Sequence, residues 1–483
     1  MRYFDLGLIV VYLIGITWFG AHFKESQKSL KDYFLGGRTT PWWAIGFSIV
    51  SAETSTLTVI GTPALTFGGN FGFLQVVMGY LLARIVISML FLPHYFRGEL
   101  YTAYELMQRR FGMRLRRLTA GTFLLLRALA EGVRVFAISI VISIVLGTGE
   151  IASIVVIVCL TLFYTFEGGM TAVIWTDVVQ MLLYVGGALV SLFVILGKIP
   201  GGWNEVWQAA GAAGKLQVFD FRLDLGLEFF TRQYSFWAGV LGGCFLTTAS
   251  HGTEQLMVQR LLSARSEGDA RKALFASWAV IFFQFTLFLV IGLILWRQYA
   301  ITGMEPPNPA DRIYPEFIWN ALPVGVSGLV IAAILAAAMS NLSAALNSLA
   351  STTVMDFYKL KYPDREESHY LRLAKLATVA WGLALFGIGV LARHVNSVLE
   401  AGLGIASILY GALLGVFLLG VLTARVTERS AMAGMLAGIV VNLYVRFGTP
   451  VAWTWYVLIG TAVTAGVGLA ASAVLDGGKK EAR

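Results

Sequence analysis

The residues most able to do chemistry in this chain are polar side chains set inside long apolar runs. One run holds Ser51-Ala52-Glu53-Thr54-Ser55-Thr56-Leu57-Thr58, closed by Gly61-Thr62-Pro63. Hydroxyls, Gly and Pro let a helix interrupt its hydrogen-bond ladder where it lines a cavity, and the freed carbonyls are hard oxygen ligands suited to a small cation. The same hydroxyls could instead bond back to the carbonyl one turn earlier, and this stretch alone leaves both readings open. A second run, Ala337-Ala338-Met339-Ser340-Asn341-Leu342-Ser343 continuing to Asn347-Ser348, puts Ser340, Ser343 and Asn347 on one helix face. Ser340 and Asn341 differ by about 100° around the helix, so both could reach a cation lodged at a seam. Its alanines have another use, close helix approach. Asp177, in Trp175-Thr176-Asp177, is a lone carboxylate that calls for a cation, a proton, hydroxyl partners or water at the end of its run. Arg127, Glu131 and Arg134 follow one another at i, i+4 and i+7 on one stripe. They can neutralise each other, or leave one Arg free to grip an anionic group with two parallel bonds, with Glu53 across the cavity as counter-charge.

The elements that must position these groups are membrane-spanning helices. The chain of 483 residues is 57% hydrophobic and 13% charged, with mean hydropathy +0.73. A soluble domain is about 25% charged. Thirteen apolar runs are long enough to cross a bilayer core of about 30 Å, and they are continuous rather than alternating, so helices and not barrel strands are expected. A leading span is placed at about 4–22. Ten more fall at about 42–66, 73–95, 119–146, 150–166, 170–197, 233–257, 273–297, 319–353, 374–393 and 397–424. Two close the chain at about 431–447 and 452–475. The start, MRYFD, carries one basic residue and no small-residue cleavage site follows, so a retained helix is expected rather than a signal peptide. The connections at about 198–232 and 298–318 read as surface loops, with a short helix at Gly202–Ala212.

Charge sets the orientation. If the N-terminus is outside, 24 of the 36 Lys and Arg fall in cytoplasmic segments, among them Lys24, Lys28, Lys31, Arg116, Arg260, Lys359, Lys375, Lys479, Lys480 and Arg483. That asymmetry favours an outside N-terminus and a cytoplasmic C-terminus with an odd number of spans. It also accounts for the pI near 9.4 without nucleic acid. Cys159 and Cys244 lie inside apolar runs, which argues against a disulfide framework. No phosphate-cradling Gly-Lys loop, H-E-x-x-H or paired C-x-x-C occurs, so ATP-driven transport and metal hydrolysis find no support, and no enzyme is expected. The whole chain reads as one membrane domain, a monomer in the plasma (inner) membrane.

Four ordered stretches resemble the sodium:solute symporter family over nearly the whole chain: Asp32-Tyr33-Phe34-Leu35-Gly36-Gly37-Arg38, Gly168-Gly169-Met170-Thr171 through Asp177, Gly252-Thr253-Glu254-Gln255 through Arg260, and the run ending Leu346-Asn347-Ser348 with Met355-Asp356 beyond. The span count resembles the family's bacterial sialic acid transporters. Ser55–Pro63 looks closer to the branch carrying monocarboxylates and vitamins.

The resemblance implies a LeuT-type fold, two inverted repeats of five helices with the first of each broken, plus one leading and two trailing helices. It implies a sodium site at Ser51, Thr54, Ala337, Ser340 and Asn341, where the family usually has Ser or Thr in place of Asn341. It implies a second cation or proton site at Asp177, Ser340 and Ser343, incomplete because Ala344 replaces a serine. It implies solute contacts at Ser55, Thr58, Phe71, Gln75 and Arg127, with Arg134 competing for the last role and Glu53 nearby. The activity implied is uptake of a small organic solute, carboxylate-bearing if an Arg faces it, driven by sodium. A proton-coupled carrier, a carrier of a neutral sugar or amino acid, a channel and a solute sensor are the alternatives.

Overall fold

A computed structural model describes residues 2–22, 38–97, 103–164 and 170–475. Asp32–Gly37, Gly168 and Gly169 of the family-like stretches, and the basic residues Lys24, Lys28, Lys31, Lys479, Lys480 and Arg483, lie outside them. Among the described residues the only β pairing is an isolated bridge between Thr40 and Ala264; the rest of the regular structure is helical.

A leading helix α1 (Tyr3–His22) precedes the first interrupted helix, α2 (Trp42–Glu53) and α3 (Thr56–Gly68). Next come α4 (Leu74–Val86, carried through a π turn to Phe96), α5 (Ala103–Arg110), α6 (Met113–Leu146), α7 (Glu150–Tyr164), α8 (Met170–Gly197) and the surface helix α9 (Gly202–Ala212). The second interrupted helix is α10 (Phe236–Gly252) and α11 (Gln255–Leu262). Then follow α12 (Glu267–Thr302), α13 (Ile313–Ala321), α14 (Val326–Thr352, carried through a π turn to Lys361), α15 (Glu367–Leu391) and α16 (Val398–Leu422). The trailing pair is α17 (Glu428–Gly448) and α18 (Tyr456–Leu475).

Nine of these helices are continuous, long and apolar enough to span a bilayer, and α2 with α3, bent by 64°, makes a tenth. Helices also stand at the other three expected places, α1, α7 and α10–α11, but each falls short by that measure. The sequence bounds were too short at charged ends. Helix α6 has 34 residues and α12 has 36, about 50 Å each. Arg114, Arg116 and Arg117 in the first turn of α6 carry it out of the apolar layer, where hydropathy stops counting but the backbone ladder does not. One expected span was too long. The stretch 319–353 is cut after Ala321, because Pro323 cannot donate to a helix and Gly325 takes a φ of +90°.

Small residues set the closest packing. A Cβ at Gly79 of α4 would stand 2.3 Å from the Val240 carbonyl oxygen of α10, and one at Gly243 would stand 2.1 Å from that of Val76. These two backbones therefore meet without side chains between them, as interfaces in lipid favour. The leading helix is fastened by charge: the buried Asp5 accepts from the backbone N–H of Gly325 (2.7 Å) and Gly328 (3.0 Å). It thereby caps the N-terminus of α14 from another helix. Arg2 donates to the carbonyls of Trp319 (2.5 Å) and Leu322 (2.6 Å) beside it.

Candidate functional site

A cavity of about 1190 Å³ runs from the two helix breaks to one end of the bundle. Ser55, Thr58, Arg127, Arg134, Glu254 and Tyr410 line its deep part, and Arg116, Asp356, Lys359 and Lys375 its mouth. The opposite end is closed. Phe73 packs on Phe285 and Tyr234 with ring centroids 5.3 and 5.8 Å apart. Gln233 donates to Glu400 at the start of α16 (2.6 Å), and so does the Tyr234 hydroxyl (2.5 Å). Lys215 gathers the carbonyls of Thr66 (3.1 Å), Phe67 (2.8 Å) and Gly69 (2.8 Å), the open C-terminal end of α3.

The first break is uncharged in its backbone chemistry. Thr54 leaves the helical region (φ −85°, ψ 78°) and Ser55 is extended (φ −79°, ψ 172°). The Ser55 N–H turns back to the Glu53 carbonyl (3.1 Å), and the Thr58 N–H bonds Ser55 (2.9 Å). The carbonyls of Ser51 and Thr54 thus lose the i+4 donors a continuous helix would give them. The Thr54 hydroxyl and that of Tyr184 on α8 are also buried, with Tyr184 facing Ser51 and Thr54. Across the cavity, α14 presents Ser340, Asn341, Ser343 and Asn347 to the lining, with Ala337 buried one turn away. The helix-back-bonding reading therefore does not cover this segment: the ladder is broken and oxygen lone pairs are left.

The second break is charged. Glu254 is the extended residue between α10 and α11 (φ −87°, ψ 131°). Its Oε1 accepts from Arg127 Nη1 at 2.9 Å and its Oε2 from the Tyr410 hydroxyl of α16. Arg127 Nη2 pairs with Glu131 at 2.9 Å, and Arg134 reaches the same Glu131 oxygen at 2.5 Å. Two guanidinium and two carboxylate groups thus balance. The i, i+4, i+7 stripe does pair with itself, and Arg127 is not free. The side chain of Arg134 is 24% exposed against 7% for Arg127, so Arg134 is the more open of the two.

Several sequence expectations move. Glu53 does not stand opposite Arg127; it pairs with Arg84 of α4 (2.9 Å) and faces His251 of α10 (3.3 Å) while touching the cavity wall. Arg84 is fully buried and spends its other nitrogens on the carbonyls of Leu274 (3.0 Å) and Tyr80 (3.2 Å). Asp177 is not solvated. It is buried, accepts from Ser48 (2.7 Å) and pairs with Arg260 of α11 (3.0 Å). Arg260, counted by charge as a cytoplasmic loop residue, lies inside the bundle and also donates to Ser48 (2.9 Å). Gln75 is fully buried away from the cavity, donating to the carbonyls of Gly72 (3.1 Å) and Tyr234 (2.6 Å) and accepting from the Asp220 N–H (3.1 Å). Phe71 bonds Gln217 through its backbone and does not line the cavity; Phe73 does. Both lie in the turn before α4, and nothing in the sequence fixes side-chain direction in a turn that finely. Arg260 and Tyr410 went unread because single polar residues in apolar or motif context carry no periodic signal. Glu254 was legible as an acid within a span, but not its partner.

Two interrupted helices meeting at a half-open mid-bundle cavity define a secondary transporter of the LeuT-type architecture. The family profile described as "Sodium:solute symporter family" matches residues 33–438, and the chain belongs to that family. Among similar proteins is sodium-coupled monocarboxylate transporter 2 of Mus musculus, 28% identical over 450 residues and covering 92% of this chain and 71% of that protein. Another is the sodium/sialic acid symporter SiaT of Proteus mirabilis, 27% identical over 474 residues and covering 95% and 92%. The solved structure of a Na⁺-coupled sialic acid symporter in a substrate-bound outward-open state superposes with a TM-score of 0.84 at 26% identity, over 98% of both chains. Mhp1, a nucleobase-cation-symport-1 family transporter, superposes with a TM-score of 0.55 at 14% identity, a likeness of fold alone. The protein is thus a multi-pass membrane symporter, not an enzyme, and sodium is its co-transported ion.

Proposed function

We propose that the solute is a small organic carboxylate, taken up from outside and released through the cavity seen here. The observation that carries this reading is the guanidinium pair Arg127 and Arg134 in the cavity wall beside both helix breaks. The names of the monocarboxylate and sialic acid relatives point the same way. The basic mouth is assigned to the cytoplasm by the Lys and Arg asymmetry, which puts the N-terminus outside, the C-terminus inside, and the closed Phe73–Glu400 end on the outer face.

Sodium is assigned to the freed carbonyls of Ser51 and Thr54 together with Ala337, Ser340 and Asn341 of α14. All are neutral oxygen donors, hard enough for a small monovalent cation. Ser55 and Thr58 are assigned to the solute, with Phe73 replacing Phe71 and no role for Gln75. Asp177 with Ser343 is not assigned a second cation, because Arg260 already supplies the positive partner. In this scheme sodium at the α2–α14 seam favours the outward-open state, solute joins it, and both leave through the inner cavity by population shift between the two states.

Uptake of radiolabelled carboxylates into proteoliposomes under a sodium gradient, with and without a pH gradient, tests the scheme. Accumulation should follow sodium and be indifferent to the proton gradient. Saturable uptake of amides or neutral sugars in preference to carboxylates would reject the solute class.

A further inference from the structure

We infer that Glu254 is the resident counter-anion of Arg127, which an incoming carboxylate displaces, so that solute occupancy is read at the break of the second interrupted helix. This deepens the carboxylate reading above and rests on it.

Arg127 is buried, and both of its terminal nitrogens are engaged, Nη1 with Glu254 and Nη2 with Glu131, each at 2.9 Å. A buried guanidinium gives up a carboxylate only when another anion takes its place. The two partners differ in what they can do. Glu131 lies one turn along the same helix and moves with Arg127. Glu254 belongs to another element, as the extended N-cap residue of α11 whose carbonyl takes the Met257 and Val258 N–H groups. Its second oxygen is held by Tyr410 from a third element, α16. The pair therefore ties α6, the α10–α11 break and α16 together across the floor of the cavity.

A solute carboxylate brings the same charge and the same oxygen geometry to Nη1. The exchange leaves Arg127 neutralised, and Glu254 keeps the Tyr410 hydroxyl on the cavity wall, where Arg134, within electrostatic reach of Tyr410, is the next cation, so that the break is free to move. Tyr104 also lines the cavity within electrostatic reach of Arg127 and Glu254, and its buried hydroxyl accepts from the Gln255 backbone N–H, which leaves its own proton to donate. It is placed to donate to the arriving group. Competition by Glu254 weakens carboxylate binding in the wild type, and Glu254 thus sets which anions are strong enough to enter.

The experiment is a thermal-shift titration of the purified full-length chain in saturating sodium, with L-lactate, nicotinate, N-acetylneuraminate and, as the neutral control, L-lactamide. Glu254→Gln should bind the accepted carboxylates about tenfold tighter than wild type, Glu254→Asp should return towards wild type, and L-lactamide should not respond. Tyr410→Phe removes the group that receives the displaced Glu254 and should act in the opposite sense, weakening carboxylate binding about fivefold. The sodium-induced shift in Tm reports that each variant is folded. Should Glu254→Gln lack that shift, the sign of the Tyr410→Phe effect decides: unchanged or tighter binding overturns the proposal. Carboxylate binding unchanged or weakened in a folded Glu254→Gln overturns it while leaving the carboxylate reading intact. Absence of any carboxylate response in wild type and variants alike overturns that reading and this one with it.

Discussion

The two helix breaks solve one problem in opposite ways. At Thr54–Ser55 the chain leaves backbone carbonyls without their i+4 donors beside uncharged hydroxyls. At Thr253–Glu254 it fills the gap with its own ions, a carboxylate held by Arg127 and Tyr410. The difference follows from the size of the charges. A handful of carbonyl dipoles can wait unpaired at a modest cost in a wet cavity, whereas an unpaired guanidinium or carboxylate at membrane depth cannot. The first break offers neutral oxygens; the second carries an internal ion pair.

The sharpest way to break that comparison is Arg127→Ala. It strands Glu254 while Glu131 keeps Arg134, and breaking a buried pair from one side costs about 3–5 kcal/mol. Carboxylate uptake should fall beyond detection and Tm should drop, read by transport assay and thermal unfolding. A variant that keeps carboxylate affinity would reduce Arg127 to a structural role. At the uncharged break the expectation is different in kind. Ser340→Ala should raise the sodium concentration for half-maximal uptake about tenfold and change stability by less than about 1 kcal/mol, measured by sodium titration and unfolding side by side. Asn341→Ser, which gives the hydroxyl usual in the family, should shift the preference of sodium over lithium by about threefold; no shift would take Asn341 out of the ion's surroundings.

The smallest effect lies at the closed end of the bundle. Burial pushes the Asp311 carboxyl up to about 6, with Glu400 adding in the same sense and the Val398 N–H opposing. The protonated acid is therefore the form that fits the packed closed end. Its stabilisation is complete below the ordinary carboxylate value of 3.8 and is lost as pH rises through about 6. Between pH 5 and 7 the wild type should lose about 1 kcal/mol relative to Asp311→Asn. Parallel pH–Tm curves for the two proteins would dismiss this account.

Much of the architecture was legible in the chain itself. Apolar run length, the Gly202–Ala212 surface helix and the Ser/Thr-rich interruption at 51–58 are local properties, set by hydropathy, breakers and competition for backbone hydrogen bonds. The ends of α6 and α12 were misjudged because a charged turn leaves the lipid without leaving the helix. The solute site was legible only as a list of polar residues. Gln75 and Arg127 look alike in sequence, each a polar residue within an apolar helix, yet one is spent on the Asp220–Tyr234 connection and the other holds the floor of the cavity.

By itself, then, the sequence determined that this is a helical membrane carrier of its family and marked the hydroxyl cluster at 51–58 as a place where the second span could break. Tertiary structure alone decided which charges are paired. Glu53 went to Arg84, Asp177 to Arg260 and Arg127 to Glu254, over separations of 31, 83 and 127 residues. The physical reason is that burial compels every ion to find a counter-ion, but only the packing of helices distant in sequence selects which one.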